Sequence, residues 1–188
     1  MKKKLVIVGG ANGVGKTTFA YQYREEFRID YLGADAIAEE IKGKNNGDID
    51  VLAGKEFFRR LDAYFVKNQS VIIESTLSGL GLAKQIAKFK EKGYLIHIVY
   101  VFLDDVEFCK KRIQFRVKKG GHSVPLVEIE RRFTRSLRNF KQVYLPLSDT
   151  WQLFYNGLRR PVEVAVSEKG VTMILDEEFY KIFQEISK

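Results

Sequence analysis

A glycine-rich turn near the start of the chain leads into a lysine and a threonine. The segment GANGVGKTT places Gly10, Gly15, Lys16 and Thr17 in the spacing G-x-x-x-x-G-K-[ST], which is typical of a loop that binds nucleotide phosphates. In such a loop backbone N–H groups surround the β-phosphate, the lysine bridges the β- and γ-phosphates, and the hydroxyl ligates Mg²⁺. We therefore expect ATP and Mg²⁺ to bind here, with Thr17 as the metal ligand and nine nucleotide-binding residues: Gly10, Ala11, Asn12, Gly13, Val14, Gly15, Lys16, Thr17 and Thr18.

Carboxylates that follow apolar runs are candidates for handling an acceptor alcohol. Asp35 follows a short predicted strand, where it could take the hydroxyl proton as a general base or cap the next helix. Glu74 ends the apolar run SVIIEST, where a carboxylate is unfavourable unless it finds a cation or a donor. It could bind the acceptor, help to order Mg²⁺ through water, or be purely structural. Asp104 is a rival acid for Mg²⁺, although Asp104 or Asp105 fits a helix cap better.

The positive charge of the chain is concentrated in one segment. The formal net charge is +8, and eleven of the 32 Lys and Arg residues lie between Lys110 and Lys141 with only two Glu among them. Such a segment is an anion site or a solvated helical face. Arg116 and Arg132 lie at the borders of the apolar stripes of two predicted helices, so both could project over a cleft. They are the candidates for clamping phosphate.

The same segment has the features of a lid. KKGGHSVP, between the two basic helices, offers glycines for a hinge and a proline that stops a helix. Closure of a lid over about residues 110–142 would exclude water, so that the phosphoryl group reaches the acceptor.

Short apolar runs that alternate with helical patterns must position these residues. Strands are predicted at residues 4–10, 29–33, 70–76, 94–103 and 150–155, and a hairpin at 162–175. Alternation of this kind predicts βαβ units and a mostly parallel sheet, and strands that are apolar on both faces fit such a sheet. We expect an α/β P-loop NTPase fold: a mostly parallel five-stranded sheet with helices on both faces and a small helical lid. Residues 1–188 suit one domain.

Composition restricts the other functions. Cys109 is the one cysteine of the chain, which excludes an internal disulfide or a cysteine-rich metal site and fits a reducing compartment. No apolar run approaches the ~20 residues that span a bilayer, and the basic, apolar start lacks a signal-peptide cleavage site. We expect a cytoplasmic protein without a membrane partner.

Two other classes of P-loop protein are alternatives to a small-molecule kinase. A GTPase is disfavoured because no N-K-x-D motif is present. A nucleic-acid-binding ATPase or polynucleotide kinase would explain the basic segment, but such proteins interleave aromatic and basic residues for base stacking. The aromatic residues of 125–144 fall on a predicted core stripe instead, so nucleic acid is not the expected partner. A sugar or nucleoside kinase stays open as an alternative.

With GANGVGKTT, ADAIAEEI, VIIESTLSG and the long basic segment in this order, the chain resembles the zeta toxin family of P-loop kinases over about residues 4–156. The resemblance implies ATP·Mg²⁺-dependent phosphorylation of an amino-sugar hydroxyl on UDP-N-acetylglucosamine, and it admits an antitoxin protein as a partner. It implies a phosphate-binding role for Lys16 and Thr17, a base at Asp35, acceptor binding by Glu74 and Thr76, and a first lid arginine at Arg116.

One position departs from the family pattern. His122 stands where the family carries a second lid arginine. A neutral imidazole supplies no permanent charge, so Arg132 is the candidate to replace that arginine. His122 either contributes to acceptor binding or only hydrogen-bonds within its own loop. The departure indicates a zeta-like branch that differs from the toxins themselves.

Overall fold

The computed structural model describes residues 2–42, 48–121, 123–168 and 170–188. Its helices and strands alternate as the apolar pattern predicts. In chain order they are β1 Lys4–Gly9, α1 Lys16–Phe27, β2 Asp30–Leu32, α2 Ala34–Ile41, α3 Ile49–Val66, β3 Val71–Ser75, α4 Gly81–Glu91, β4 Leu95–Phe102, α5 Val106–Lys118, α6 Leu126–Asn139, a π-helical turn Phe140–Tyr144, α7 Leu145–Leu147, β5 Thr150–Tyr155, β6 Val162–Glu168, β7 Val171–Ile174 and α8 Glu177–Ile186.

The strands of the described residues form one sheet in the order β2-β3-β1-β4-β5-β6-β7. The first five strands in this order pair in parallel, which confirms the predicted parallel part. The sheet has seven strands rather than five because the predicted hairpin joins it, with β6 pairing antiparallel to β5 and β7 to β6. The fold is therefore an α/β fold with a mostly parallel sheet.

Helices cover both faces of this sheet, as predicted. Leu61 of α3 and Ile86 of α4 belong to the apolar core on one face, which also takes in α2 and α8. Phe19 of α1 and Ile113 of α5 belong to the core on the other face. Among the described helices, none is both long enough and apolar enough to cross a membrane.

The carboxyl ends of the three central strands meet at one edge of the sheet. The parallel register places Gly9 of β1 beside Ser75 of β3 and Tyr100 of β4. The segments that follow these strands therefore lie next to one another. In open α/β sheets the crevice beyond this edge is where ligands bind.

The basic segment contains α5 and α6. Asp105 caps α5, since its carboxylate accepts a hydrogen bond from the Glu107 backbone N–H at 2.8 Å. The sequence predicts an apolar stripe on α5 formed by Val106, Cys109, Ile113 and Val117. Val106 is partly buried and Cys109 and Ile113 are buried, but Val117 is exposed, so the prediction is wrong at Val117. On α6 and the π-helical turn the predicted stripe is confirmed, with all members buried or partly buried: Ile129, Phe133, Leu137, Phe140 and Tyr144.

Candidate functional site

The glycine-rich loop lies between β1 and α1, and two of its glycines leave no room for a side chain. Gly10 has φ +142°, and a Cβ on it would lie 2.2 Å from the carbonyl oxygen of Val101. Gly13 has φ +85°, and its Cβ would lie 2.7 Å from the carbonyl oxygen of Cys109. Both conformations favour glycine. The loop is thus fixed by close backbone contacts with β4 and α5.

Two residues far away in sequence hold the loop from its outer side. The Asn156 side-chain Nδ2 donates to the Val14 carbonyl at 2.7 Å. Arg112 donates to the same carbonyl at 3.5 Å and to the Asn156 carbonyl at 2.6 Å. Sequence reasoning assigned no role to Arg112 or to Asn156. Neither residue carries a motif that would have identified this contact.

Lys16 begins α1 and lies over the loop. Its Nζ donates to the Ala11 carbonyl at 2.9 Å. Burial lowers the pKa of Lys16 below its ordinary value, while the charges of Glu74 and Asp35 act in the opposite direction. The Lys16 ammonium group therefore lies near two carboxylates. A bound polyphosphate would add further negative charge and so favour the protonated form of Lys16.

Glu74 links the loop to the neighbouring strand. Its Oε2 accepts hydrogen bonds from the Thr17 hydroxyl at 3.2 Å and from the Tyr31 hydroxyl at 3.0 Å. Its Oε1 is buried and has no hydrogen-bond partner among the described residues. Burial, followed by the negative charge of Glu74, raises the pKa of Tyr31. Tyr31 therefore stays protonated as a donor, a role that the sequence did not indicate.

The hydroxyl of Thr17 and the carboxylate of Glu74 are neighbouring oxygen donors of the kind that Mg²⁺ prefers. This ion is commonly held by one or two carboxylates together with phosphate oxygens and water. The buried Oε1 of Glu74 leaves one acceptor oxygen available beside Thr17. In the part of the chain that the structure describes, no group of three or more His, Cys, Asp or Glu residues could hold a metal by itself, so the phosphates would have to complete the site.

Two cavities open beside the loop and share a wall. The lysine cavity, about 190 Å³, is lined by Asn12, Gly13, Gly15, Lys16, Thr17, Asp35, Glu74, Arg112, Ile113 and Arg116. The α2–α3 cavity, about 180 Å³, is lined by Asn12, Ala34, Asp35, Ala38, Ala53, Gly54, Val124 and Arg132. Asn12 and Asp35 line both cavities. A group on either residue can therefore reach ligands on both sides.

Asp35 is the second residue of α2 and is exposed. The cap residue of that helix is Gly33, so the alternative that Asp35 serves as the N-cap is wrong. Asp35 instead lines the cavities that contain Lys16 and Arg132. The carboxylate is thus available to a ligand.

The two predicted lid arginines lie in different places. Arg116 lines the lysine cavity, whereas Arg132 lines the α2–α3 cavity and donates to Glu128 at 3.2 Å. The three other arginines of α6 are exposed: Arg131, Arg135 and Arg138.

The remaining predicted residues are more peripheral. The Thr76 hydroxyl lies 2.8 Å from that of Ser78, and Thr76 lines neither cavity among the described residues. Thr18, next to Thr17, is exposed. Asp104 accepts from the Tyr155 hydroxyl at 2.9 Å and does not cap α5. His122 lies outside the described residues.

The chain matches one family model and has relatives among known proteins. The AAA_33 family model, described as an AAA domain, matches residues 5–143. An uncharacterized protein of Haemophilus influenzae is 31% identical over 124 residues, which cover 66% of this chain and 88% of that protein. A shikimate kinase of Gloeobacter violaceus is 30% identical over 109 residues, 56% of this chain and 59% of that enzyme.

Solved structures share the fold at lower identity. The crystal structure of AvrRxo1-ORF1:-ORF2 with ATP superimposes with a TM-score of 0.76 at 16% identity, covering 100% of this chain and 64% of that one. The chain therefore spans less than two thirds of that protein. A structure from the PezAT chromosomal toxin-antitoxin system of Streptococcus pneumoniae gives a TM-score of 0.63 at 18% identity, covering 98% and 78%.

Proposed function

The chain belongs to the AAA_33 family of AAA domains, and from this premise we propose that it is a cytoplasmic ATP- and Mg²⁺-dependent small-molecule kinase. Its P-loop fold and its similarity to a shikimate kinase support a phosphotransferase. In the proposed reaction the acceptor hydroxyl oxygen forms a bond to the γ-phosphorus. The bond between that phosphorus and the β,γ-bridging oxygen of ATP breaks, so that this oxygen leaves with ADP. The acceptor proton passes to a carboxylate of the protein.

The observation that carries this proposal is the shared wall of the two cavities. Asp35 lines the cavity of Lys16 and also the neighbouring α2–α3 cavity. A γ-phosphate beside Lys16 and a hydroxyl in the α2–α3 cavity would meet at Asp35. A general base must lie within hydrogen-bond reach of the proton that it takes from the acceptor, and the position of Asp35 in the shared wall supports this role.

The remaining groups fit the charge that develops during transfer. Lys16 and Arg116 line the same cavity and would contact the phosphate oxygens. Thr17 and Glu74 would hold Mg²⁺, which when bound neutralises charge on the β- and γ-phosphates. The buried Oδ1 of Asn12 has no hydrogen-bond partner among the described residues, so it could accept a hydrogen bond from the acceptor. Thr76 and His122 stay predictions for acceptor binding.

The acceptor we propose in the first place is a nucleotide sugar such as UDP-N-acetylglucosamine, as the zeta toxin resemblance implies. The size of the α2–α3 cavity favours a second candidate. At about 180 Å³ it is smaller than the roughly 300–1,000 Å³ of pockets that enclose drug-sized ligands. A single sugar ring or another small metabolite suits this volume better than a whole nucleotide sugar, whose remainder would lie outside it.

An antitoxin partner is a further part of the proposal. The PezAT structure is described as belonging to a toxin-antitoxin system, and this neighbour shares the fold of the chain. Toxicity of the chain when expressed alone, relieved by a co-expressed protein, would support such a partner.

The proposal is tested by incubating the protein with ATP, Mg²⁺ and a panel of acceptors. The panel contains UDP-N-acetylglucosamine, shikimate, gluconate and a metabolite extract, with mass spectrometry to detect a phosphorylated product. We expect one acceptor to gain a phosphate at the expense of ATP. If ATP is hydrolysed at the same rate with and without every acceptor, the protein is an ATPase and the proposal is wrong.

Variants then assign the roles. Lys16→Ala should abolish turnover. Asp35→Asn should keep ATP binding and reduce transfer by about 10²–10⁴-fold, the range typical of a lost general base. Asp62→Asn is the matched control. It removes the same negative charge from α3, at a residue that lines neither cavity, and its rate of transfer should equal that of the parent protein. Unchanged transfer by Asp35→Asn would remove Asp35 from the mechanism.

The arginines allow a second matched pair. Arg132→Gln should raise the KM for the acceptor, because Arg132 lines the α2–α3 cavity. Arg131→Gln, whose side chain is exposed and contacts the same Glu128, should leave the KM unchanged. Equal effects of the two substitutions would show that charge on α6, and not the cavity, is responsible.

A further inference from the structure

One face of α5 carries exposed aromatic and basic side chains outside both cavities. Phe108 and Phe115 are 45% and 60% exposed, and seven residues of helix place them within about 20° of each other around the axis. Lys111, Lys118 and Lys119 are exposed on the same side. The Nζ of Lys111 lies 5.9 Å from the centroid of the Phe108 ring, and that of Lys119 lies 4.4 Å from the Phe115 centroid. We call these five residues the α5 outer face.

The outer face has no evident structural task. The packing of α5 on the sheet is provided by its opposite side, where Cys109 and Ile113 are buried. A single exposed apolar residue is ordinary on a protein surface. The two exposed phenyl rings of this face, each beside a lysine, are therefore not required for the packing of α5.

The lysines of this face are available to a partner. Among the described residues, Lys111, Lys118 and Lys119 have no carboxylate within ion-pair distance, whereas Lys110 contacts Glu107 and Glu130 at 2.6 and 2.5 Å. The face therefore combines uncompensated positive charge with exposed rings. Positive charge attracts a phosphate backbone, and aromatic side chains offer planes on which bases stack.

We propose that the α5 outer face binds a single strand of nucleic acid, with bases stacked on Phe108 and Phe115 and phosphates contacted by the lysines. The rings lie about 10 Å apart along the helix axis, so each serves a different base. The carboxylates of an acidic protein would pair with the lysines but would leave the two rings without stacking partners. A single strand of nucleic acid supplies phosphates for the lysines and bases for the rings.

The position of the face makes the proposal relevant to the site. Arg112, on the same helix, lies between the outer face and the lysine cavity, which it lines with Arg116. A strand on the outer face would pass beside the mouth of that cavity. The expectation against nucleic acid was based on the aromatic residues of 125–144, of which Phe140 and Tyr144 are indeed buried. The rings of α5, in contrast, are exposed.

The test is a fluorescence anisotropy titration of the full chain without ATP. The probes are a labelled oligouridylate of about 12 nucleotides, within the site sizes usual for such surfaces, the matching oligodeoxythymidylate, and a duplex of the same length. We expect the single strands to bind at low salt and the duplex to bind at least about tenfold more weakly, because its base planes are covered. The RNA and DNA arms show whether the 2′-hydroxyl contributes.

Variants separate stacking from charge. Phe108→Leu with Phe115→Leu keeps apolar side chains but removes the rings, and it should weaken binding by about tenfold or more. Replacing Lys111, Lys118 and Lys119 by Gln should reduce the slope of log K against log salt by about 2. Replacing Lys84, Lys88 and Lys181 by Gln makes the same change of net charge on α4 and α8, across the sheet, and should leave the slope nearly unchanged.

Several results would overturn the proposal. These are no binding at the lowest salt, equal affinity for the duplex, no effect of the leucine variant, and competition by polyglutamate as strong as by oligouridylate, which would assign the face to an acidic protein. Because ATP is absent, the result does not depend on the proposed kinase activity.

Discussion

Around the glycine-rich loop there is no space for one additional methyl group, whereas around the α2–α3 cavity there is. A Cβ on Gly10 would meet a backbone oxygen at 2.2 Å, but a Cβ on Gly54 of α3 meets nothing within 4 Å. The loop side of the site is defined by backbone atoms that cannot move independently. The α2–α3 side is lined largely by small side chains, with Arg132 and Asp35 as its charged groups. This difference suggests that one side has a fixed ligand and that the other side can be altered without loss of the fold.

The largest effect is expected from Gly10→Ala. The new methyl group would overlap the Val101 carbonyl, and φ +142° is unfavourable for alanine, so the loop and β4 must separate. We expect a loss of about 3 kcal/mol or more in the free energy of unfolding, together with loss of ATP binding. Urea denaturation and a nucleotide-binding titration measure the two effects.

Gly79→Ala is the control for this substitution, because its Cβ has nothing within 4 Å. It should stay within about 0.5 kcal/mol of the parent protein. If the Gly10→Ala protein were as stable as the Gly79→Ala protein, the loop would not be rigidly packed. The loop side and the α2–α3 side of the site would then not differ in rigidity.

The next effect tests the hydrogen bonds that hold the loop. Asn156→Ala removes the donor to the Val14 carbonyl, and we expect it to destabilise the fold by about 1–3 kcal/mol and to weaken ATP binding about tenfold. Asn139→Ala is a matched control, because the Asn139 Nδ2 donates at 3.0 Å to the Leu77 carbonyl, in a segment outside the cavity linings. It should destabilise the fold comparably but leave ATP affinity unchanged. Equal losses of affinity would indicate a general effect of stability.

These residues also show where sequence reasoning ends. The loop could be predicted because its glycines, lysine and threonine are contiguous, and the parallel sheet because buried strands are uniformly apolar. Asn156 lies 142 residues after Val14, and no local pattern connects two such positions. Its role follows from the parallel pairing of β4 with β5, which brings the end of β5 to the loop.

The arginines illustrate a different limit. Helical periodicity predicts that Arg116 and Arg132 lie at the borders of apolar stripes. It did not reveal that they face two different cavities, because that depends on how α5 and α6 pack on the sheet and on each other. Arg112 was overlooked for the same reason. Asp35 was selected because a carboxylate after a strand end lies at the ligand edge of the sheet; it is exposed and lines both cavities, and its role as the base stays a prediction.

A smaller effect is expected where Tyr31 meets Glu74. Tyr31→Phe removes one of the two donors to Glu74 Oε2, leaving the carboxylate with Thr17, and should reduce stability by about 1 kcal/mol. Tyr64→Phe is the matched control, since its hydroxyl contacts the exposed side chain of Asp30 at 3.4 Å, and it should change stability by less than about 0.5 kcal/mol. Urea midpoints compare the two. Similar values would mean that the Glu74 carboxylate is not held rigidly, as groups on the loop side of the site are expected to be.

The smallest effect is expected on the α2–α3 side, and it should have the opposite sign. Gly54→Ala adds a methyl group inside α3 where nothing opposes it, so it should stabilise the fold by about 0.5–1 kcal/mol. Because Gly54 lines the α2–α3 cavity, the same methyl group should raise the KM for the acceptor and leave the KM for ATP unchanged. Gly81→Ala, at the start of α4, has only an ordinary contact at 3.7 Å with Phe58 and should leave both KM values unchanged. An acceptor KM that does not respond to Gly54→Ala would place the acceptor elsewhere, because a ligand in so small a cavity cannot avoid the added group.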